Sequence, residues 1–174
     1  AAFRAGSVIF SRREGTSGFI VGEDKGVPFA EVISNGTAQR TPAGAPLTVE
    51  QWTHLAVTIS GNSLTLWRDG ESYATVSAAL PALNGPAALG RDDGPGAAYT
   101  SGFNGEVDEL QIAKAARSQG WLKFAALSQG GSPESTKLVA VGEDESGSEG
   151  AAKPNFFKEH FGIFGDISKS LTVD

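Results

Sequence analysis

Residues 52–70 read WTHLAVTISGNSLTLWRDG, and their pattern decides how the chain is arranged. Leu55, Val57 and Ile59 fall on one parity, with Trp52, His54, Ala56 and Thr58 on the other. Alternation with a period of two over this length is the signature of a half-buried strand. Gly61-Asn62 supplies residues that tolerate a tight two-residue turn. Closing the chain there sets Ile59 opposite Leu64, Val57 opposite Leu66 and Leu55 opposite Arg68. The apolar sets coincide on one side, and Trp67 lands opposite Ala56 on the other. A slip of one residue would turn every side chain over, so the pattern fixes its own register. Asp69-Gly70 then opens a second turn, which makes this hairpin the centre of an antiparallel sheet.

Working outward, strands are expected at residues 6–12, 18–23, 28–34, 37–41, 73–76, 87–90 and 103–112. Asn35-Gly36 marks a further hairpin. Residues 91–102, RDDGPGAAYTSG, form a surface loop by composition. A helix is expected over about residues 116–128, held to the body by Trp121 and Phe124. Residues 137–142, KLVAVG, read as one more short strand, and residues 143–150, EDESGSEG, as a flexible acidic linker. The last stretch, NFFKEHFGIFGDISKSL, is rich in aromatic and apolar side chains and calls for a docking partner. The domain plan is a β-sandwich over 1–128, a strand and linker over 129–152, and an aromatic tail over 153–174. Many short strands without βαβ alternation give an all-β, two-sheet antiparallel jelly-roll sandwich with one short C-terminal helix and a flexible tail.

Composition narrows the function. The 174 residues carry a formal net charge of −6 with no basic cluster, which argues against nucleic-acid binding. Cysteine is absent, and no apolar run is long enough to span a bilayer. The opening AAFRAGSVIF enters a strand at once, which suggests a piece of a longer polypeptide with an upstream strand or leader.

WTHLAVTIS-GN-SLTLWRDG resembles the central hairpin of laminin G-like, concanavalin A-like lectin domains. FNGEVDELQIAKAARSQGWLKFAA is similar to their closing strand and helix, and LNGPAALGRDDG to the strand before it. The resemblance covers residues 6–127 and implies a twisted jelly roll with a concave face and, in many members, an ion or ligand rim. It does not fix one activity, because that fold hosts lectins, adhesion modules, glycanases and spacers. The family's first strand, which supplies part of the calcium site in some members, is not matched before Gly6. The tail from Val139 onward is similar to the stretch before the first membrane helix of MotA/TolQ/ExbB proton-channel proteins with a lectin-like extension.

Candidate sites follow. Trp67 and Trp52 offer indoles for stacking on a sugar, with His54, Asp69 and Arg91 as polar contacts. Asp108, as implied by the resemblance, and the Asp92-Asp93 pair are candidate calcium ligands, although calcium needs six to eight oxygens. Glu106 and Asp108 on a strand would lie roughly 6.5–7 Å apart on one face. Retaining glycosidases use two carboxylates about 5 Å apart. The resemblance implies a further Glu two or three positions after Asp108, where this chain has Leu110 and Gln111, so catalysis is not expected. His54 faces Asp69 as a cross-strand pair with no nucleophile motif beside it. The expected function is a non-catalytic, extracytoplasmic module that recognises a glycan or protein surface through the concave face and the loops around 91–102. The competing expectation is a periplasmic accessory domain of a biopolymer-transport assembly, with a membrane helix beyond the C-terminus. A degenerate glycoside hydrolase is the remote third.

Overall fold

The period-two hairpin forms as its alternation dictates. In the computed structural model, which describes residues 6–129, β5 (Leu55–Ser60) and β6 (Ser63–Arg68) pair antiparallel with Leu55, Val57 and Ile59 opposite Arg68, Leu66 and Leu64. Gly61 opens the turn at φ +56°, and Asn62 is not left-handed, which is the type II′ arrangement that matches strand twist. β7 (Glu71–Ser77) follows a turn in which Asp69 and Gly70 are both left-handed, and it completes a three-stranded sheet in the order β5-β6-β7.

The larger sheet is built from β1 (Ser7–Glu14), β2 (Ser17–Asp24), β3 (Val27–Ser34), β4 (Thr37–Arg40) and β8 (Ala87–Leu89), in the order β4-β3-β2-β1-β8. A two-residue β9 (Ser101–Gly102) runs parallel to β1. Ala30 and Val32 of β3 lie between the sheets with Leu64 and Leu66, all fully buried, and Phe19, Val57, Ile59, Tyr73 and Val76 close around them. The opposite face of the larger sheet buries Val8, Ile20, Phe29 and Ile33 beneath Tyr99. Such burial, at roughly 25 cal/mol per Å² of apolar surface, is the main force holding the sandwich.

The described residues fall in the first of two compact units, Ala1–Val139; the second is Ala140–Asp174. The expected strand at 137–142, the acidic linker at 143–150, the aromatic tail and the segments proposed for 130–174 lie outside the described residues.

Two expectations are corrected. Residues 103–112 do not form a strand, and only Ser101–Gly102 pairs before them. Glu109 takes φ +53°, which breaks an extended run, and Val107, Leu110 and Ile112 are exposed at 41%, 53% and 75%. Among the described residues this stretch pairs with no sheet edge, and its apolar side chains stay exposed. The helix is also held differently. α1 (Gln119–Ser128) begins after Ser118, whose Oγ accepts from the Trp121 N–H at 3.3 Å. It buries Leu122 and Ala126, one turn apart, while Trp121 and Phe124 stay 40% and 50% exposed. Lys123 of α1 sits over the β6–β7 turn and its Nζ reaches Glu71 Oε1 at 2.7 Å, with Gln119 Nε2 on the other oxygen at 2.9 Å.

Gly70 is where helix and sheet touch most closely, since a Cβ there would lie 2.4 Å from Lys123 Cα. Gly70→Ala should therefore lose about 1–3 kcal/mol and loosen α1. Gly36→Ala, at a similar φ of +81° in open space, should cost less. Urea denaturation of the two variants measures the difference, and equal losses would mean that α1 does not bear on Gly70.

Candidate functional site

Strand parity assigns the candidate residues to two different faces. On β6 the outward residues are Ser63, Thr65 and Trp67. Opposite them on β5 stand Ser60, Thr58 and Ala56, and on β7 stand Ser77, Thr75 and Ser72. The Trp67 indole N–H donates to Thr58 Oγ1 at 2.8 Å, and the hydroxyls of Thr65 and Thr75 meet at 3.1 Å. The half-buried indole is thus fixed in orientation within a field of hydroxyl groups. The sequence reading picked out Trp67 but missed the hydroxyls. Their signal was present as Ser and Thr recurring at the outward parity of three successive strands.

At one end of this face, the His54 N–H donates to Asp69 Oδ1 at 3.0 Å, and the Asp69 N–H donates to the His54 carbonyl at 2.8 Å. The expected cross-strand pair exists, made through the backbone of His54 and not through its imidazole. His54 Nδ1 is buried without a hydrogen-bond partner among the described residues. Burial pushes the imidazole below its ordinary pKa, and the Asp69 charge opposes that only in part. Trp52 precedes β5, outside the ladder, and is 55% exposed. No hydrogen bond among the described residues joins the 42–46 loop to it. That loop contacts the inner side instead, through Tyr73 Oη to the Ala45 carbonyl and Arg68 to the Pro46 carbonyl.

Arg91, Asp92 and Asp93 lie on the other side of the sandwich, against the outer face of the larger sheet. Ser11 Oγ donates to the Arg91 carbonyl at 2.9 Å, and Ser11 is an outward residue of β1. The structure therefore separates Arg91 from the Trp67 group, because the thickness of two sheets stands between their faces. Asp92 is not available to a metal. Its carboxylate receives Arg13 Nε and Nη2 at 2.7 and 2.6 Å and the N–H groups of Ala98 and Tyr99 at 2.7 and 3.1 Å. Both side chains of this ion pair are buried, at 2% and 0% exposure. Asp93 pairs with Arg91 at 2.7 Å, and Asp108 accepts from the next N–H, that of Glu109. Among the described residues no three His, Asp or Glu side chains gather in a way that could hold a metal. The aspartates expected to bind calcium thus do not fit that ion as placed. Glu106 and Asp108, lying off any strand, also lose the strand spacing that had set them side by side.

The Arg13–Asp92 clamp holds the 91–99 loop down, and Tyr99 completes the cover. Its ring stacks on Phe29 at 5.8 Å, and its hydroxyl donates to Glu31 Oε2 at 3.0 Å while accepting from Arg40 Nη2 at 2.6 Å. The Arg40 guanidinium lies 3.5 Å over the Phe29 ring. The loop around 91–102, expected to help bind ligand at the rim, instead lies with Tyr99 against the outer face of the larger sheet.

Burial pushes the Asp92 carboxyl up, but the Arg13 bonds and the two loop amides outweigh it and hold the group below the usual carboxylate range. Its contribution to stability is present above about pH 4 and is lost as pH falls through its lowered pKa. His54, held neutral by burial, contributes stability that is full above about pH 6.5 and declines as pH falls below that. Stability should therefore fall in two stages on acidification. His54→Gln should remove the upper stage, and Asp92→Ala the lower one at a cost of about 3–5 kcal/mol near neutrality. Thermal unfolding across pH 3–8, taken as about the range of these two groups, reads both stages. A profile unchanged in both variants would contradict the assignments.

No curated protein matches the chain in sequence. A crystal structure of an S-layer domain-containing protein from Clostridium thermocellum aligns with 21% identity over 70% of this chain and 63% of that one, at a TM-score of 0.43. This chain thus spans less than two thirds of that protein's crystallised chain. The laminin G model of the concanavalin A-like lectin/glucanases superfamily matches residues 2–123. With two packed sheets, the central Leu55–Arg68 hairpin and a match over most of its length, the chain belongs to the concanavalin A-like lectin/glucanases superfamily, as a laminin G-like domain.

Proposed function

We propose that this domain is a non-catalytic, extracytoplasmic recognition module that binds a glycan on the outward face of β5, β6 and β7. Domains of this laminin G-like kind are usually binding modules and not enzymes, which supports the general class. The observation that carries the glycan reading is the Trp67 indole, pinned through its N–H to Thr58 and bordered by Thr65, Thr75 and Ser72. A sugar presents an apolar ring face and a rim of hydroxyls. An aromatic plate stacks on the first, and serine and threonine hydroxyls exchange hydrogen bonds with the second. Because the indole is already fixed, little side-chain entropy is lost on binding. Asp69 and the half-buried His54 close one end of the face and give it polarity.

The reading assigns no role in ligand binding to Arg91, which lies on the opposite face. A glycan array followed by calorimetry on the best hit tests it. Trp67→Ala should weaken binding by about tenfold or more, Thr65→Ala by less, and Arg91→Ala not at all. Failure of the intact chain to bind any glycan, or full binding by Trp67→Ala, would sink the proposal.

A further inference from the structure

The outward hydroxyls of β5, β6 and β7 stand in register. Thr58 faces Thr65, which faces Thr75; one step along the strands, Ser60 faces Ser63, which faces Ser77. Each row crosses the sheet in steps of about 4.8 Å, and the two rows lie about 6.7 Å apart. Trp67 stands in the row before them, between Ala56 and Ser72. Among the described residues, no strand position on this face carries a charge. Arg68 and Glu71 pair with each other at the opposite parity. There Arg68 donates to the Pro46 carbonyl, and Glu71 is held by Lys123 and Gln119 of α1. Asp69, at the end of the face, has Oδ1 on the His54 N–H and Arg68 Nε 3.7 Å from Oδ2.

The hydroxyl bonds decide what such a face can hold. Thr58 accepts from the indole N–H, so its own hydrogen is left to donate outward. Thr65 and Thr75 meet at 3.1 Å and share one hydrogen, which leaves the pair one further donor and several lone pairs. Two hydroxyls this close, able to give and to take, match two hydroxyls on adjacent carbons of a sugar ring. A carboxylate or sulfate only accepts, and it loses its hydration without a cation to offset the cost. The chain's net charge of −6 acts against a polyanion as well. A calcium ion bridging protein and sugar would need six to eight oxygens, carboxylates among them, and neutral hydroxyls do not supply that set.

We infer that the face selects an uncharged glycan with hydroxyls on adjacent ring carbons, gripped directly by Trp67 and the Thr65/Thr75 pair without a bridging cation. This rests on the glycan reading above and names the class of glycan it takes.

Calorimetry on the full chain tests it with two sets of soluble probes: mannan, xylan and a β-glucan as neutral chains, polygalacturonate and heparin as acidic ones. A neutral chain should bind with an affinity that neither EDTA nor added salt changes, and the acidic chains should not bind. Thr65→Val/Thr75→Val keeps the side-chain shape while removing both hydroxyls. It should retain the wild-type circular dichroism and weaken neutral binding about three- to tenfold. Preference for an acidic chain, binding lost in EDTA, or neutral binding unchanged in the double variant would overturn the inference. If binding of that kind still disappears in Trp67→Ala, the glycan reading stands and only the class is wrong. Binding of none of the probes, followed by silence on a full glycan array, would overturn both.

Discussion

Leu64 and Leu66 reach from β6 into the gap between the sheets and meet Ala30 and Val32 with no solvent left around them. That contact ties the rest of the domain together. Side chains on a strand alternate, so burying these two leucines sends Thr65 and Trp67 to the opposite face without any further instruction. The same rule, applied to β3, buries Val32 between the sheets and puts Phe29, Glu31 and Ile33 on the far side, where Tyr99 covers them. Two outer faces of unlike chemistry result: one a hydroxyl field around an indole, the other an apolar and charged surface sealed by a loop.

The sealed face shows how long-range polar bonds can close a surface that hydrophobic packing alone would leave half open. Arg13 and Asp92 are both buried, and such a pair is costly unless its remaining hydrogen-bonding capacity is met. Here the Ala98 and Tyr99 N–H groups take up the rest of Asp92. The clamp then sets Tyr99 down on Phe29, Glu31 and Arg40. The outward face of β5, β6 and β7 has no comparable cover among the described residues.

Much of this architecture was legible in the residues. The period of two from Leu55 to Arg68 and the Gly61-Asn62 turn gave pairings that hold residue for residue, and Asn35-Gly36 marked a second hairpin, because both depend only on local geometry. What stayed hidden depended on distant partners. Arg13 and Asp92 are separated by 79 positions, and nothing near either one announces the other. Residues 103–112 carry a strand-like pattern, yet a strand needs an edge to join, and pattern alone does not say whether one is in reach. Trp121 and Phe124 looked like helix anchors by size, whereas the helix is seated by Leu122 and Ala126, the smaller pair one turn apart. Arg91 and Trp67 looked like partners because both suit a sugar, and only the placement of β6 and of the loop after β8 separates them.

The account stands on which face of β3 meets β6. Methyl nuclear Overhauser effects on the isotopically labelled chain test this directly. Val32 should show strong cross-peaks to Leu64 and Leu66, and Ile20 and Ile33 should show none to either leucine. Cross-peaks from Ile20 or Ile33 to Leu66, with Val32 silent, would mean that the sheets pack through the other parity, and the assignment of both outer faces would be wrong.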